Sequence, residues 1–244
     1  MPESIRPHGL DKLRSFLAAA LLFPLALSSP ASAVVVTSGC AGATSCTLTE
    51  LFAGGTITVD DVLFDSFVFG GSAGNVALSS DFVTVTGVAG AGITSLDFLF
   101  DPALAAGVVG DFLEDVFDFD ATVVASLRTI ESATLAFDDA GIAGDAFIQV
   151  GTVIGGTVLE ILIDSISADI LSDTEALASL TTLSAAVDYQ GEVFDVDSSF
   201  FLGAYSFDLT LAGVNPVPLP AALPLFGAGL GMLGFLGWKR RRKA

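Results

Sequence analysis

Short runs of alternating apolar and polar residues fill most of the chain between residues 34 and 216. In the run at 206–211, Phe207, Leu209 and Leu211 point to one side, while the polar residues between them point to the other. Such period-two alternation predicts a half-buried antiparallel strand. Similar runs, bounded by Gly, Asp or Ser, occur at 55–69, 75–88, 116–127, 133–137 and 146–154.

Strands of this length and spacing predict an all-β domain, an antiparallel β-sandwich, with a β-solenoid as the alternative. No repeat of fixed period is found, which argues against the solenoid. One segment differs, because Ser172 and Glu175 form a capping-box pattern ahead of leucines near helical spacing. This pattern predicts a short helix over about 173–186, although Thr181 and Thr182 favour a strand there.

The first 33 residues have the pattern of a secretory signal peptide. A basic start is followed by an apolar stretch at 16–27, and Ala31-Ser32-Ala33 is a small-x-small cleavage site. The stretch is interrupted by Pro24 and is too short to span about 30 Å of hydrocarbon. We therefore predict cleavage between Ala33 and Val34.

The other end of the chain has the pattern of a membrane anchor. Residues 221–238 carry no charge, and an 18-residue helix covers about 27 Å, enough to cross a bilayer. A basic cluster follows at once and predicts that this end stays in the cytoplasm; it comprises Lys239, Arg240, Arg241, Arg242 and Lys243. The predicted order is a signal peptide at 1–33, an acidic β-rich extracytoplasmic domain at 34–213, a proline-rich linker at 214–220, a transmembrane helix at 221–238 and a basic tail at 239–244.

A short proline motif lies directly before the predicted helix: Val217, Pro218, Leu219, Pro220 and Ala221. With the glycine-rich apolar helix and the terminal arginine cluster, it resembles the PEP-CTERM sorting signal in its VPLPA variant. The commoner form of that signal has Glu where this chain has Leu219. The two prolines resist helix formation and keep the segment extended, which suits a protease cleft.

The resemblance covers about residues 217–244 and implies a route rather than a chemistry. In that family an exosortase, a membrane-embedded cysteine transpeptidase of Gram-negative bacteria, recognises the tail, and the hosts usually make exopolysaccharide. The implied partners are the exosortase, the membrane and the exopolysaccharide matrix. The implied location is an inner-membrane intermediate with its domain in the periplasm, and then the cell surface or matrix.

Charge is sorted along the chain and excludes one class of partner. Of the 28 acidic residues, 26 lie between 34 and 213, where Arg128 is the only basic residue, so this region has a formal charge of −25. Such a domain repels phosphate backbones, and we predict no binding to nucleic acid.

Catalytic motifs are weak. The G-x-S-x-G pattern of a serine hydrolase occurs at 70–74, but the only histidine is His8, and the domain contains no lysine. No Ser-His-Asp triad or Ser-Lys dyad can form, so a glycine-rich hairpin loop is the better interpretation. Cys40 and Cys46 lack the histidine that a cysteine protease or mixed zinc site needs, and export favours a disulfide between them.

Carboxylates offer two further interpretations. Asp118 with Asp120, and Asp195 with Asp197, are spaced to share one face of a strand, but a glycosidase also needs a set separation and a raised pKa. Solvated strand faces are the simpler explanation. Calcium prefers clustered oxygens on loops, for which the candidates are Asp60, Asp61, Asp138, Asp139 and Asp145.

Together these patterns predict a non-enzymatic structural protein of the envelope or matrix that needs no cofactor. A calcium-dependent binding module or adhesin is one alternative, and a carboxylate-based hydrolase is the other. Glycan binding usually uses exposed aromatic side chains, and the domain has no tryptophan and only Tyr189 and Tyr205.

Overall fold

The structure is a computed structural model that describes residues 34–90, 92–124 and 127–213. The predicted signal peptide, linker, transmembrane helix and basic tail lie outside these residues. In the described part, no helix is long and apolar enough to cross a membrane. Within residues 34–213 the described elements are strands joined by short turns, one α-helix α1 (Leu48–Phe52) and a 3-10 turn (Ser80–Phe82). The strands are β1 (Val35–Ser38), β2 (Ser45–Thr47), β3 (Thr56–Val59), β4 (Val62–Gly74), β5 (Val83–Ala89), β6 (Ile93–Ala106), β7 (Phe112–Val123), β8 (Thr129–Ala143), β9 (Ala146–Ile154), β10 (Thr157–Asp164), β11 (Ser172–Leu180), β12 (Thr182–Val193) and β13 (Ser199–Ala212).

These strands form two antiparallel sheets packed as a sandwich, which confirms the predicted β-sandwich and excludes the solenoid for the described residues. The first sheet has seven strands in the order β1-β3-β4-β7-β12-β9-β10. The second has six in the order β11-β8-β13-β6-β5-β2. Neighbouring strands pair in antiparallel register throughout, as in β7 against β12 and β13 against β8.

The core lies between the sheets and is rich in aromatic rings. Phe98 of β6 stacks on Tyr205 of β13 with ring centroids 4.6 Å apart. Phe119 of β7 meets Phe207 of β13 edge to face at 5.4 Å, which joins the two sheets. Apolar area removed from water in this way is the main favourable contribution to folding.

The alternation seen in the sequence corresponds to burial in the structure. In β13, Phe207, Leu209 and Leu211 are buried, while Ser206 and Asp208 are partly exposed. β9 has the predicted limits of 146 and 154. Inward-facing apolar residues therefore explain why these segments are strands.

The predicted helix at 173–186 is wrong. This segment forms β11 and the start of β12, and β11 pairs with β8 from Ser172 opposite Ala136 to Ala176 opposite Ser132. The backbone is irregular before Leu180, where Ser179 has a positive φ of 46°. Pairing with β8 outweighs the local helical spacing, as tertiary contacts commonly do.

A capping box does occur, but in α1. The Thr47 hydroxyl accepts a hydrogen bond from the Glu50 amide at 3.2 Å, and Glu50 Oε2 accepts one from the Thr47 amide at 2.8 Å. Leu48 and Leu51 of this short helix are fully buried. The helix is therefore fixed by its cap and by packing against the core.

The described chain begins and ends at the same pole of the sandwich. Val35 pairs with Val59 beside the β3–β4 turn, and Ala212 pairs with Thr129. The ion pair between Arg128 and Asp61, at 3.2 Å, shows that this turn lies next to Thr129. We call this end, formed by Val34, Asp60, Asp61, Arg128 and Gly213, the terminal pole.

Candidate functional site

Most residues that the sequence assigns to export lie outside the described residues. Val34, which directly follows the predicted cleavage site, is the first described residue and belongs to the terminal pole. The assignments that fall outside are Ala33, Val217, Pro218, Leu219, Pro220, Ala221, Lys239, Arg240, Arg241, Arg242 and Lys243.

Cys40 and Cys46 are joined by a disulfide, with Cα atoms 5.1 Å apart. Cys46 is 2 % exposed and packs in the core. Glu50 Oε1 accepts a hydrogen bond from the Ala41 amide at 2.9 Å, which ties the loop between the cysteines to α1. Hydrogen bonds from the Thr47 and Ala41 amides lower the pKa of Glu50. The disulfide loop is thus held both covalently and by this carboxylate.

The five calcium candidates lie at separate places. Asp60 and Asp61 form the β3–β4 turn, and Asp61 forms an ion pair with Arg128. Asp145 lies in the β8–β9 bend, where its Oδ1 accepts a hydrogen bond from Ser165 at 2.9 Å. The interpretation of Asp138 and Asp139 as loop residues is wrong, because both belong to β8.

The five predicted aspartates therefore do not come together in one calcium site. Among the described residues, no three His, Cys, Asp or Glu side chains are arranged to hold a metal ion. A role for calcium therefore stays a prediction that rests on the sequence.

Three carboxylates do come close on the outer face of the six-stranded sheet. They are Asp97 of β6, Asp138 of β8 and Asp208 of β13. Partial burial, then repulsion from Asp138 and Asp208, raises the pKa of Asp97. Partial burial, then repulsion from Asp208, raises the pKa of Asp138, although a hydrogen bond with Ser206 acts in the opposite direction. No local sequence pattern indicates this cluster, because strand pairing brings its members together from segments far apart in the chain.

Replacing Asp208 by asparagine is expected to stabilise the domain at neutral pH. A raised folded-state pKa means that stability falls as pH rises from the ordinary value of 3.8 through the raised one, so the repulsion costs stability on the high-pH side of this range. Asp208→Asn removes a shared source of repulsion and should raise the melting temperature by about 1–3 °C at pH 7, and by less near pH 3. Thermal unfolding across this pH range measures the difference.

Glu131→Gln is the matched control for this substitution. It removes one exposed negative charge from β8 outside the cluster. If it stabilises the protein as much as Asp208→Asn does, general charge reduction explains the gain and the cluster does not.

The G-x-S-x-G segment is neither a nucleophile elbow nor the predicted hairpin loop. Residues 70–74 form the end of β4, where Ser72 lies opposite Asp115 of β7. The next helical element is only the 3-10 turn at Ser80–Phe82. The strand–turn–helix arrangement that exposes a nucleophilic serine is therefore lacking in this part of the described chain.

The two predicted carboxylate pairs lie in different kinds of structure, one on a strand and one in a turn. Asp118 and Asp120 lie on the outer face of β7 and line an open groove of about 490 Å³ with Ser184, whose hydroxyl donates a hydrogen bond to Asp120. The rim of this groove includes the exposed side chains of Val68 and Val153. The groove offers carboxylate and hydroxyl groups beside apolar surface.

The second pair was placed wrongly by the sequence. Asp195 and Asp197 lie in the turn between β12 and β13, not on a strand face. Asp195 Oδ1 accepts a hydrogen bond from the Val196 amide at 2.7 Å, so this carboxylate stabilises the turn.

One buried carboxylate, that of Asp115, is not among the site residues predicted from the sequence. Asp115 is 1 % exposed; its Oδ2 accepts a hydrogen bond from the Leu78 amide at 2.9 Å, and its Oδ1 has no protein partner among the described atoms. It lies opposite Tyr189, whose hydroxyl is 2.6 Å from that of Tyr205. The alternation of β7 contains the signal, because Asp115 shares the inward face with Leu113 and Phe117.

Comparison with known proteins gives no family for this chain. No protein-family model matches it, and no curated protein matches it. Several solved structures, including the three that follow, share a partial likeness with it. The first, TmCBM61 in complex with beta-1,4-galactotriose, is 9 % identical with a TM-score of 0.25, and the match covers 58 % of this chain and 87 % of that one. The xylan-binding module CBM15 is 15 % identical with a TM-score of 0.24, covering 59 % and 95 %.

The third structure is the enzymatically active domain of tailspike protein 4 from bacteriophage CBA120. It is 11 % identical with a TM-score of 0.21, and the match covers 60 % of this chain and 19 % of that one. Similarity at this level says nothing about a ligand of this chain, so its function has to be inferred from its own residues.

Proposed function

We propose that this chain is an exported structural protein of a Gram-negative cell surface or extracellular matrix, delivered through a VPLPA-type tail that an exosortase processes. The observation that carries the proposal is that the sandwich begins and ends at one pole. Val34 and Gly213, the residues next to the two predicted membrane-directed segments, both belong to the terminal pole.

This arrangement suits a domain held at one face of a membrane. Strands such as β7 and β13 run between the two poles, and a 14-residue strand spans about 46 Å. Had the ends left from opposite poles, one of them would have had to cross that length to return to the bilayer. With both ends at one pole, the sandwich can lie on one side of the membrane both before signal-peptide cleavage, when both ends are attached, and afterwards, when the carboxyl end alone is.

Two further features support the proposal. The disulfide between Cys40 and Cys46 suits an oxidising, extracytoplasmic compartment. The described residues contain no histidine and no lysine, so they cannot supply a Ser-His-Asp triad or a Ser-Lys dyad, which supports a non-catalytic role. Association with a hydroxyl-rich exopolysaccharide matrix is part of the proposal, and the groove around Asp118 and Asp120 supplies hydrogen-bonding groups for it.

Replacing Pro218 and Pro220 by alanine is expected to abolish tail processing in a host that carries the exosortase. Alanine allows this segment to join the predicted helix, so the enzyme loses an extended substrate. The measurement is the mass of the protein recovered from membrane, surface and matrix fractions. The unaltered chain should lose its tail and appear in the matrix, whereas the variant should keep the tail and stay in the membrane.

A host without the exosortase provides the matching control, because there the unaltered chain should behave like the variant. Normal tail loss and surface delivery of the proline variant would contradict the motif, and a simple membrane anchor would then explain the tail. Efficient tail loss without recovery in the matrix would contradict the matrix association alone.

A further inference from the structure

Val34 and Asp60 hold each other by two hydrogen bonds at the terminal pole. The Val34 amide donates to Asp60 Oδ1 at 2.9 Å, and the Asp60 amide donates to the Val34 carbonyl at 2.7 Å. The residue held in this way is the one that directly follows the predicted cleavage site. Its nitrogen therefore has different chemistry before and after cleavage.

We propose that the Asp60 carboxylate is a binding site for a primary ammonium group, namely the new amino terminus that signal-peptide cleavage creates at Val34. The inference rests on the proposed export of the chain. Before cleavage the Val34 nitrogen is an amide with one N–H. After cleavage it is a positively charged group with three, and the same 2.9 Å contact becomes a charge-assisted hydrogen bond.

Asp60 is placed for this role by the turn between β3 and β4. Its φ of 51° is left-handed, a conformation that Asp and Asn adopt more readily than most residues. The carboxylate thereby points at the start of β1 rather than along its own strand. The hydrogen bond from the Asp60 amide to the Val34 carbonyl sets the position of the nitrogen that Asp60 receives.

The neighbouring charges favour Asp60 as the receptor. The charged side chains of the terminal pole are Asp60, Asp61 and Arg128; β3 and β5, which pack next to β1, carry none. Asp61 is already paired with Arg128 at 3.2 Å, so Asp60 is the carboxylate at this pole that has no basic partner among the described side chains. Cleavage would supply that partner and bring a second positive charge to this pole.

The chain makes this contact unusually easy to measure. It has no lysine between Lys12 and Lys239, so after cleavage the α-amino group is the only primary amine from residue 34 to residue 238. Acylation of that amine by acetic anhydride requires the unprotonated form. Full-length protein exported in a bacterial host would be labelled between pH 6 and 9, and its N-terminal peptide quantified by mass spectrometry.

We expect the amine of the unaltered protein to react about 3–10-fold more slowly at pH 7 than that of Asp60→Asn, because a contacting carboxylate raises the pKa of an ammonium group, here discounted for exposure. Asparagine tolerates the left-handed backbone, so the turn should persist. Asp65→Asn removes a carboxylate from β4 that does not contact Val34, and it should react like the unaltered protein.

Unfolding the unaltered protein in urea provides a second readout that needs no variant. The amine should then show an ordinary pKa of about 7.7–8.0. Equal acylation rates in the folded protein and in Asp60→Asn, with Val34 as the first residue, would overturn the ammonium site while leaving export intact. A different first residue would overturn both the predicted cleavage and the site, and the mass of the N-terminal peptide tells these failures apart.

Discussion

Replacing Phe98 by alanine is expected to lower the free energy of unfolding by about 3–5 kcal/mol. The Phe98 side chain is fully buried, with its ring stacked on Tyr205 at 4.6 Å and tilted against Phe117 of the opposite sheet at 6.0 Å. Alanine would leave a cavity between the sheets, because the flanking rings belong to strands that cannot move independently. The loss is a large part of the 5–15 kcal/mol that a typical domain has.

Urea unfolding of the purified protein, followed by circular dichroism, measures this change. Leu99→Ala is the matched control, since Leu99 is the next residue of β6 and is 51 % exposed on the outer face. It should change the stability by less than about 1 kcal/mol. Similar losses at both positions would contradict the assignment of the inward and outward faces of β6.

Removing one hydroxyl from the buried tyrosine pair is expected to cost more than removing both. The Tyr189 and Tyr205 hydroxyls are 2.6 Å apart, and each side chain is at most 1 % exposed. Tyr205→Phe leaves the Tyr189 hydroxyl buried without this partner, at a cost of about 1–3 kcal/mol. In the double variant with Tyr189→Phe no orphaned hydroxyl remains, so its stability should lie closer to that of the unaltered protein.

Alkaline titration offers an independent test of the same pair, because the chain contains only these two tyrosines. Burial, with repulsion from Asp115, raises the pKa of Tyr189, and burial raises that of Tyr205 as well. The unfolded state ionises first, so stability is lost as pH rises through about 10. Tyrosinate absorbance should therefore appear only with unfolding. Tyrosinate absorbance in the folded protein would contradict a buried, hydrogen-bonded pair. So would a double variant whose loss of stability equals the sum of the losses in the two single variants.

The sequence predicted those parts of the fold in which burial follows a simple period. Phe207, Leu209 and Leu211 reveal β13 because they alternate with polar residues, and β9 has its predicted limits for the same reason. β11 was mistaken for a helix because it has no fully buried residue, and its apolar side chains at Ala176 and Leu177 follow no strand period. Its identity comes from pairing with β8, which local pattern does not encode.

The sequence predicted candidate sites only where the residues involved are close together in the chain. The acidic pairs were visible as pairs, but whether they lay on a strand or in a turn was not: Asp118 lies on a strand face and Asp195 in a turn. The cluster of Asp97, Asp138 and Asp208 arises from strand order in the sheet. The contact between Val34 and Asp60 likewise spans 26 positions and needs the left-handed turn.

The last described strand, β13, lies between β8 and β6 in the middle of its sheet. A chain secreted from its amino end would therefore have both neighbours across the membrane before the strand that joins them arrives. Until residue 212 has been translocated, β6 and β8 would each present an open edge, and the space later filled by Tyr205 and Phe207 would be wet. Under the proposed export, completion of the core would be coupled to synthesis and translocation of nearly the whole β-domain. A product truncated before β13 would lack both the predicted sorting tail and the closed core, and under the proposed export it would be exposed to periplasmic quality-control proteases.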